Sequence, residues 1–169
     1  MTARILSAAL SVLLLPAIAV AQTKISGAGR CGKPDVQHSV QVPDRPSHSF
    51  ALSQAKCVWT KPWEIGGIKN KEGVGTVSEE VTGDTARSRE VYVDTMESGD
   101  KAFYRYEATT TLKGGVPQSS QGRWTLMGGT GKLKAIQGKG TCKVVGFEAD
   151  GGLTFECEGE YTLPAAKKP

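Results

Sequence analysis

The sequence predicts an all-β fold, an antiparallel up-and-down barrel of about eight strands behind an irregular N-terminal lead-in. Three observations predict it. Apolar residues recur with period two in several separate runs, the spacing that gathers side chains on one face of a strand. Gly-rich turn signals break those runs at short intervals, and Gly supplies 21 of 169 residues, well above the usual ~7%. Beyond the first stretch, no segment carries the 3.6-residue repeat of an amphipathic helix. The length suits one domain, and a net charge of +4 implies neither a nucleic-acid arm nor a polybasic membrane patch.

Residues 1–21 read as a signal peptide. Arg4 gives the positive start, Ile5 to Val20 is apolar apart from Ser7, Ser11 and Pro16, and Ala19-Val20-Ala21 offers the small-x-small cleavage site. A membrane anchor is the rival reading, but the run holds 16 residues where spanning wants ~20. The expectation is an exported protein, periplasmic or extracellular, with no membrane span after cleavage. Residues 22–47, with Pro34, Pro43 and Pro46, are expected as the irregular lead-in. Residues 48–163 form the barrel domain and 164–169 a frayed tail.

Within the barrel, strands are expected at Phe50 to Trp59, Gly73 to Thr82, Ala86 to Met96, Lys101 to Leu112, Ser119 to Met127, Gly138 to Phe147 and Leu153 to Leu163. Hairpin loop length fixes which residues face each other. A three-residue Gly83-Asp84-Thr85 loop sets Glu79 against Arg89 and Val77 against Val91. A two-residue Gly99-Asp100 turn sets Val93 against Tyr106 and Asp94 against Arg105. One face then carries Val77, Val81, Val91, Val93, Tyr104, Tyr106, Ala108 and Leu112, and the other is mostly charged. A three-residue Gly114-Gly115-Val116 loop brings Trp124 across from Tyr106.

Cys31, Cys57, Cys142 and Cys157 suit two disulfides in an oxidising compartment, and no C-x-x-C pair or histidine spacing supports a metal site. A four-residue loop from Glu148 to Gly151 puts Cys142 directly opposite Cys157, within disulfide reach. Cys31–Cys57 is left to fasten the lead-in to the first strand.

Catalytic signatures are sparse. Gly128-Gly129-Thr130-Gly131-Lys132 departs from a phosphate loop at Leu126 and Leu133, and only His38 and His48 are available for a triad. Oxidised cysteines argue against thiol chemistry, and interleaved charges argue against nucleic-acid binding. The residues that remain as candidate ligand contacts are Glu79, Arg89, Tyr104, Tyr106 and Trp124. Inside a barrel, Glu79 and Arg89 would be a paired charge with perturbed protonation, and the aromatic rings would wall an apolar cavity. The plainer readings are a rim or surface ion pair and ordinary core filling. The Trp59-Thr60-Lys61-Pro62-Trp63-Glu64 segment is expected to pack against one barrel end.

Trp124-Thr125-Leu126-Met127-Gly128-Gly129-Thr130-Gly131-Lys132-Leu133-Lys134-Ala135-Ile136-Gln137-Gly138-Lys139-Gly140-Thr141 resembles the allene oxide cyclase/dirigent-like barrel superfamily, which carries a similar G-G-T-G run before a closing hairpin. The resemblance implies an eight-stranded barrel with an interior cavity, often oligomeric, used for stereocontrol over small organic molecules. The chain also looks like small exported bacterial proteins of that type. No catalytic residue carries over, and the disulfides depart from the pattern. Three functions follow in order: binding of a small, largely apolar ligand without catalysis or cofactor; a cyclase- or isomerase-like enzyme in which Glu79 and Arg89 orient a polar group; and a structural or partner-binding envelope module. A homo-oligomer fits each.

Overall fold

The computed structural model describes residues 22–163; the expected signal peptide and the tail at 164–169 lie outside them. Ten strands follow in chain order: β1 (Thr23–Cys31), β2 (Val36–Gln41), β3 (His48–Lys61), β4 (Glu64–Ile65), β5 (Ile68–Thr82), β6 (Thr85–Met96), β7 (Lys101–Lys113), β8 (Val116–Gly129), β9 (Gln137–Phe147) and β10 (Leu153–Thr162). Every pairing is antiparallel. Eight staves close a barrel in the order β3-β1-β10-β9-β8-β7-β6-β5 and back to β3. Closure removes the unpaired edges that an open sheet would expose. The only helical turn among the described residues is a 3-10 turn at Gly131–Leu133, and no described helix could cross a membrane.

The irregular lead-in expected at 22–47 is not what forms. It supplies β1, a full stave between β10 and β3, and β2, which continues alongside β3. The reason is steric. The inward positions of β1 after Ile25 are Gly27 and Gly29, so the strand shows no apolar alternation to read. A side chain at Gly29 would collide with the Phe155 ring, and one at Gly27 with the Lys61 carbonyl and the Trp59 ring. Small residues are needed because β10 and β3 send large ones across the same space.

Two hairpin registers also differ from expectation. Gly83 and Asp84 alone make the β5–β6 turn, so Thr82 pairs with Thr85 and Glu79 faces Ser88, not Arg89. Between β6 and β7 the ladder stops at Thr95–Lys101, with the chain from Met96 to Asp100 looping out. Both changes are odd in register, so β5 and β7 keep the expected faces and β6 alone is reversed. Tyr92, Glu90 and Asp94 turn inward, while Val91 is 58% exposed outside. Asp94 therefore pairs with Ala102, not Arg105, and Val93 with Phe103, not Tyr106.

Two other loop lengths differ as well, yet their pairings hold. Gly114 and Gly115 form a two-residue turn, both with positive φ (57° and 81°) as a type I′ turn requires. A bulge at Thr111/Leu112 restores the register, leaving Tyr106 opposite Trp124. The β9–β10 loop is one residue longer than expected, and a bulge at Thr154/Phe155 returns Cys142 to Cys157. Both disulfides form, Cys31–Cys57 and Cys142–Cys157, with Cα atoms 3.9 and 4.1 Å apart.

One barrel end is packed shut. Trp63 and Ile65, from the segment between β3 and β5, join Trp59, Met96, Tyr104, Trp124, Leu126, Leu133 and Ile136 in a continuous buried cluster. Trp63 stacks against Trp59 at 4.6 Å and Trp124 at 5.4 Å between ring centroids, so the Trp-rich segment does plug this end.

Candidate functional site

The other half of the lumen is built differently. Following the ladder across the staves gives one row of directly paired inward residues: Ala51, Glu79, Ser88, Ala108, Gly122, Cys142, Cys157, Gly27. Seven of these eight are Gly, Ala, Ser or disulfide-bonded Cys. With no bulk to meet across the barrel, they leave an open-mouthed cavity of about 1140 Å³, and all but Ala51 line it. The row spirals, as strand tilt in a barrel requires.

The next row inward runs Ser53, Val77, Glu90, Tyr106, Trp124, Gly140, Gly159, Ile25. Here large and small alternate. The Trp124 ring lies across Gly140 and Gly159, where a Cβ would overlap it, and the Tyr106 ring lies over Gly122 with its hydroxyl 3.4 Å from the Cys142 carbonyl oxygen. Below comes the aromatic layer of the closed end, where Tyr104 meets Tyr92 and Trp124 edge-on.

Of the five candidate contacts, the structure brings four to the lumen. Glu79 stands in the cavity wall. Tyr106 faces inward one row deeper, and Trp124 and Tyr104 are packed core residues below it; none of the three is among the residues that line the cavity. Arg89 is separated from them. Its side chain is 82% exposed on the outer surface, 3.7 Å from Glu107, because the shorter β5–β6 turn puts it opposite Ser78.

Two acids that the sequence reading placed outside are inside. Asp94 is 0% exposed in the closed end. Its carboxylate accepts from Trp59 Nε1 at 2.7 Å and from Asn70 Nδ2 at 3.3 Å. Burial still lifts its pKa to about 6, against the opposing pull of those donors. Tyr104 and Trp63 approach the same carboxylate, but their polar atoms complete no hydrogen bond. Glu90 sits one row above, its carboxyl over the Cα of Gly75, where any side chain would strike it. No donor or cation contacts Glu90 among the described residues, and burial alone raises its pKa to about 7. Burial raises Glu79 in the same direction. The Tyr106 hydroxyl is pushed up first by burial and then by Glu90. The missed signal was Glu90-Val91-Tyr92-Val93-Asp94 itself, which alternates acid or tyrosine with valine and fits either face until the turn is known.

No protein-family model matches the chain, and no curated protein matches it either. Among solved structures, it is similar to the pterocarpan synthase dirigent protein GePTS1, with 12% identity and a TM-score of 0.47 over 85% of this chain and 92% of that one. A likeness at that level carries nothing about the residues of the site.

Proposed function

We propose that the protein binds a small molecule with an apolar body in the open half of its barrel. The carrying observation is the row of small side chains from Ala51 round to Gly27. A barrel of eight strands has an interior that side chains can fill completely, and the closed end of this one does so. At the row of Glu79 they leave a space of about 1140 Å³, enough for a drug-sized ligand. A purely structural barrel has no need of this space. The wall of Gly27, Ala108, Gly122 and the Cys142–Cys157 disulfide supplies apolar contact, and Glu79 supplies a polar anchor.

Export fits the two disulfides, which persist in oxidising compartments. Arg89 borders this cavity but its side chain is exposed and lies beside Glu107, and no Glu79–Arg89 pair forms, so the enzyme reading built on that pair is not carried forward. Native mass spectrometry of protein purified from its own host tests the proposal: a retained ligand adds a discrete mass that organic solvent removes. Protein that carries no such mass, and takes up none from a small-molecule extract of that host, would overturn it.

A further inference from the structure

The cations of the barrel are confined to its outer face, which carries acids as well. Every Lys and Arg on the eight staves is exposed, from Lys24 on β1 to Lys143 on β9. The inward-facing charged side chains on those staves are Glu79, Glu90 and Asp94, all acids. Asp94 has its donors and is sealed in the closed end. Glu79 and Glu90 do not. They are diagonal neighbours across the β5–β6 ladder, one at the cavity row and one just beneath it. Neither has a hydrogen bond or an ion pair among the described residues.

A half-buried carboxyl without a partner is disfavoured in its ionised form, because it has lost part of its water and gained no counter-charge. A neutral ligand leaves the charge uncompensated, and an anionic one worsens it. A cation restores the missing partner, in surroundings where Coulomb attraction is stronger than in water. The faces of Tyr106 and Trp124, next in the same row as Glu90, are negative in the sense that attracts a cation.

Resting on the binding function proposed above, we propose that the lumen selects small organic cations, an ammonium group on an aromatic or aliphatic body, with Glu79 and Glu90 as its counter-ions. Binding needs no covalent step. The ligand's charge is met at the carboxyls, and its apolar body lies along the small-residue wall toward the mouth.

Three probes with one indole body separate charge from shape: tryptamine (cation), tryptophol (neutral) and indole-3-acetate (anion). Isothermal titration calorimetry at pH 8 is expected to show tryptamine at least tenfold tighter than tryptophol, and indole-3-acetate weakest. The Glu79→Gln/Glu90→Gln double variant should bring tryptamine to the affinity of tryptophol and leave tryptophol unchanged. Glu72→Gln, exposed and away from the cavity lining, should change neither. Circular dichroism and intact disulfides establish that the variants are folded. If tryptophol binds wild type as tightly as tryptamine, the lumen binds but the charge selection is refuted. If tryptamine keeps its advantage in the double variant, the assignment to these carboxyls is refuted. If none of the three binds at millimolar concentration, this inference falls, while a retained ligand in the native mass spectrum would still uphold the binding function.

Discussion

Replacing Glu90 by Gln keeps the shape of the side chain and removes its ionisation, so it isolates the electrostatic cost of this position. In the folded protein its pKa stands at about 7, against an ordinary carboxyl value of 4.5. A folded-state pKa above the unfolded one means that the native state holds the proton more tightly. The associated stability is therefore complete below the unfolded value and is lost as pH rises through the folded one. A shift of this size corresponds to about 3 kcal/mol at full effect, and water reaching the open lumen reduces it to about 2. The groups facing Glu90 do not reverse the sign: β5 offers Gly75 and Val77 with Glu79 diagonally beyond, and β7 offers Tyr104 and Tyr106. On its own strand, Ser88 and Asp94 add no cation. Asp94, raised to about 6, loses stability in the same direction over a lower pH window. Urea unfolding of disulfide-intact protein should thus show wild type and Glu90→Gln equal near pH 4, below the unfolded value. At pH 8 the variant should be more stable by about 2 kcal/mol, a rise in Tm of roughly 4–8 °C. Parallel pH profiles for the two proteins would refute the placement of Glu90 inside the barrel.

Other perturbations have equally definite outcomes. Cys142→Ser with Cys157→Ser should lower stability by about 3 kcal/mol in urea titration, the loop-closure value for a span of 15 residues, without abolishing far-UV strand signal. Gly159→Ala should cost about 1–3 kcal/mol and broaden near-UV aromatic bands, because the added methyl meets the Trp124 ring. Asp94→Ala should cost about 3 kcal/mol or more in the same titration, since the Trp59 indole N–H and the Asn70 amide would be left buried without an acceptor.

The barrel was legible because period-two alternation and Gly turns survive small errors in loop length. Seven staves were read from them, and the eighth, β1, was hidden by the glycines that let Trp59 and Phe155 cross the lumen. The site was legible on β5 and β7, which kept the expected faces, and where a bulge offset a misjudged loop, as for Tyr106 opposite Trp124 and Cys142 opposite Cys157. At β6 no such offset exists. The turns on both sides of that strand differ by odd counts, and apolar preference pointed the wrong way, toward burying Val91 and Val93. Hydrophobic patterning decides a strand's face when the alternative is charged and unneeded. Here the acids are inside, where local rules say they should not be, and such violations concentrate at functional sites.

Ser88 separates a binding protein from a structural barrel in one substitution. It stands in the small-residue row, paired with Glu79 on one side and Ala108 on the other, at the wall of the cavity. Leu at this position would project into space that no other side chain occupies. Burying its added apolar surface should leave stability unchanged or raise it by about 1 kcal/mol, as cavity-filling substitutions do. The same side chain would occupy the ligand's volume and reduce tryptamine binding at least tenfold. Stability and binding would then move apart, as expected where natural side chains are kept small for something other than packing. A Ser88→Leu protein destabilised by 2 kcal/mol or more would instead mean overpacking, with opposite walls already in contact, and the cavity on which the proposed function stands would not exist in solution.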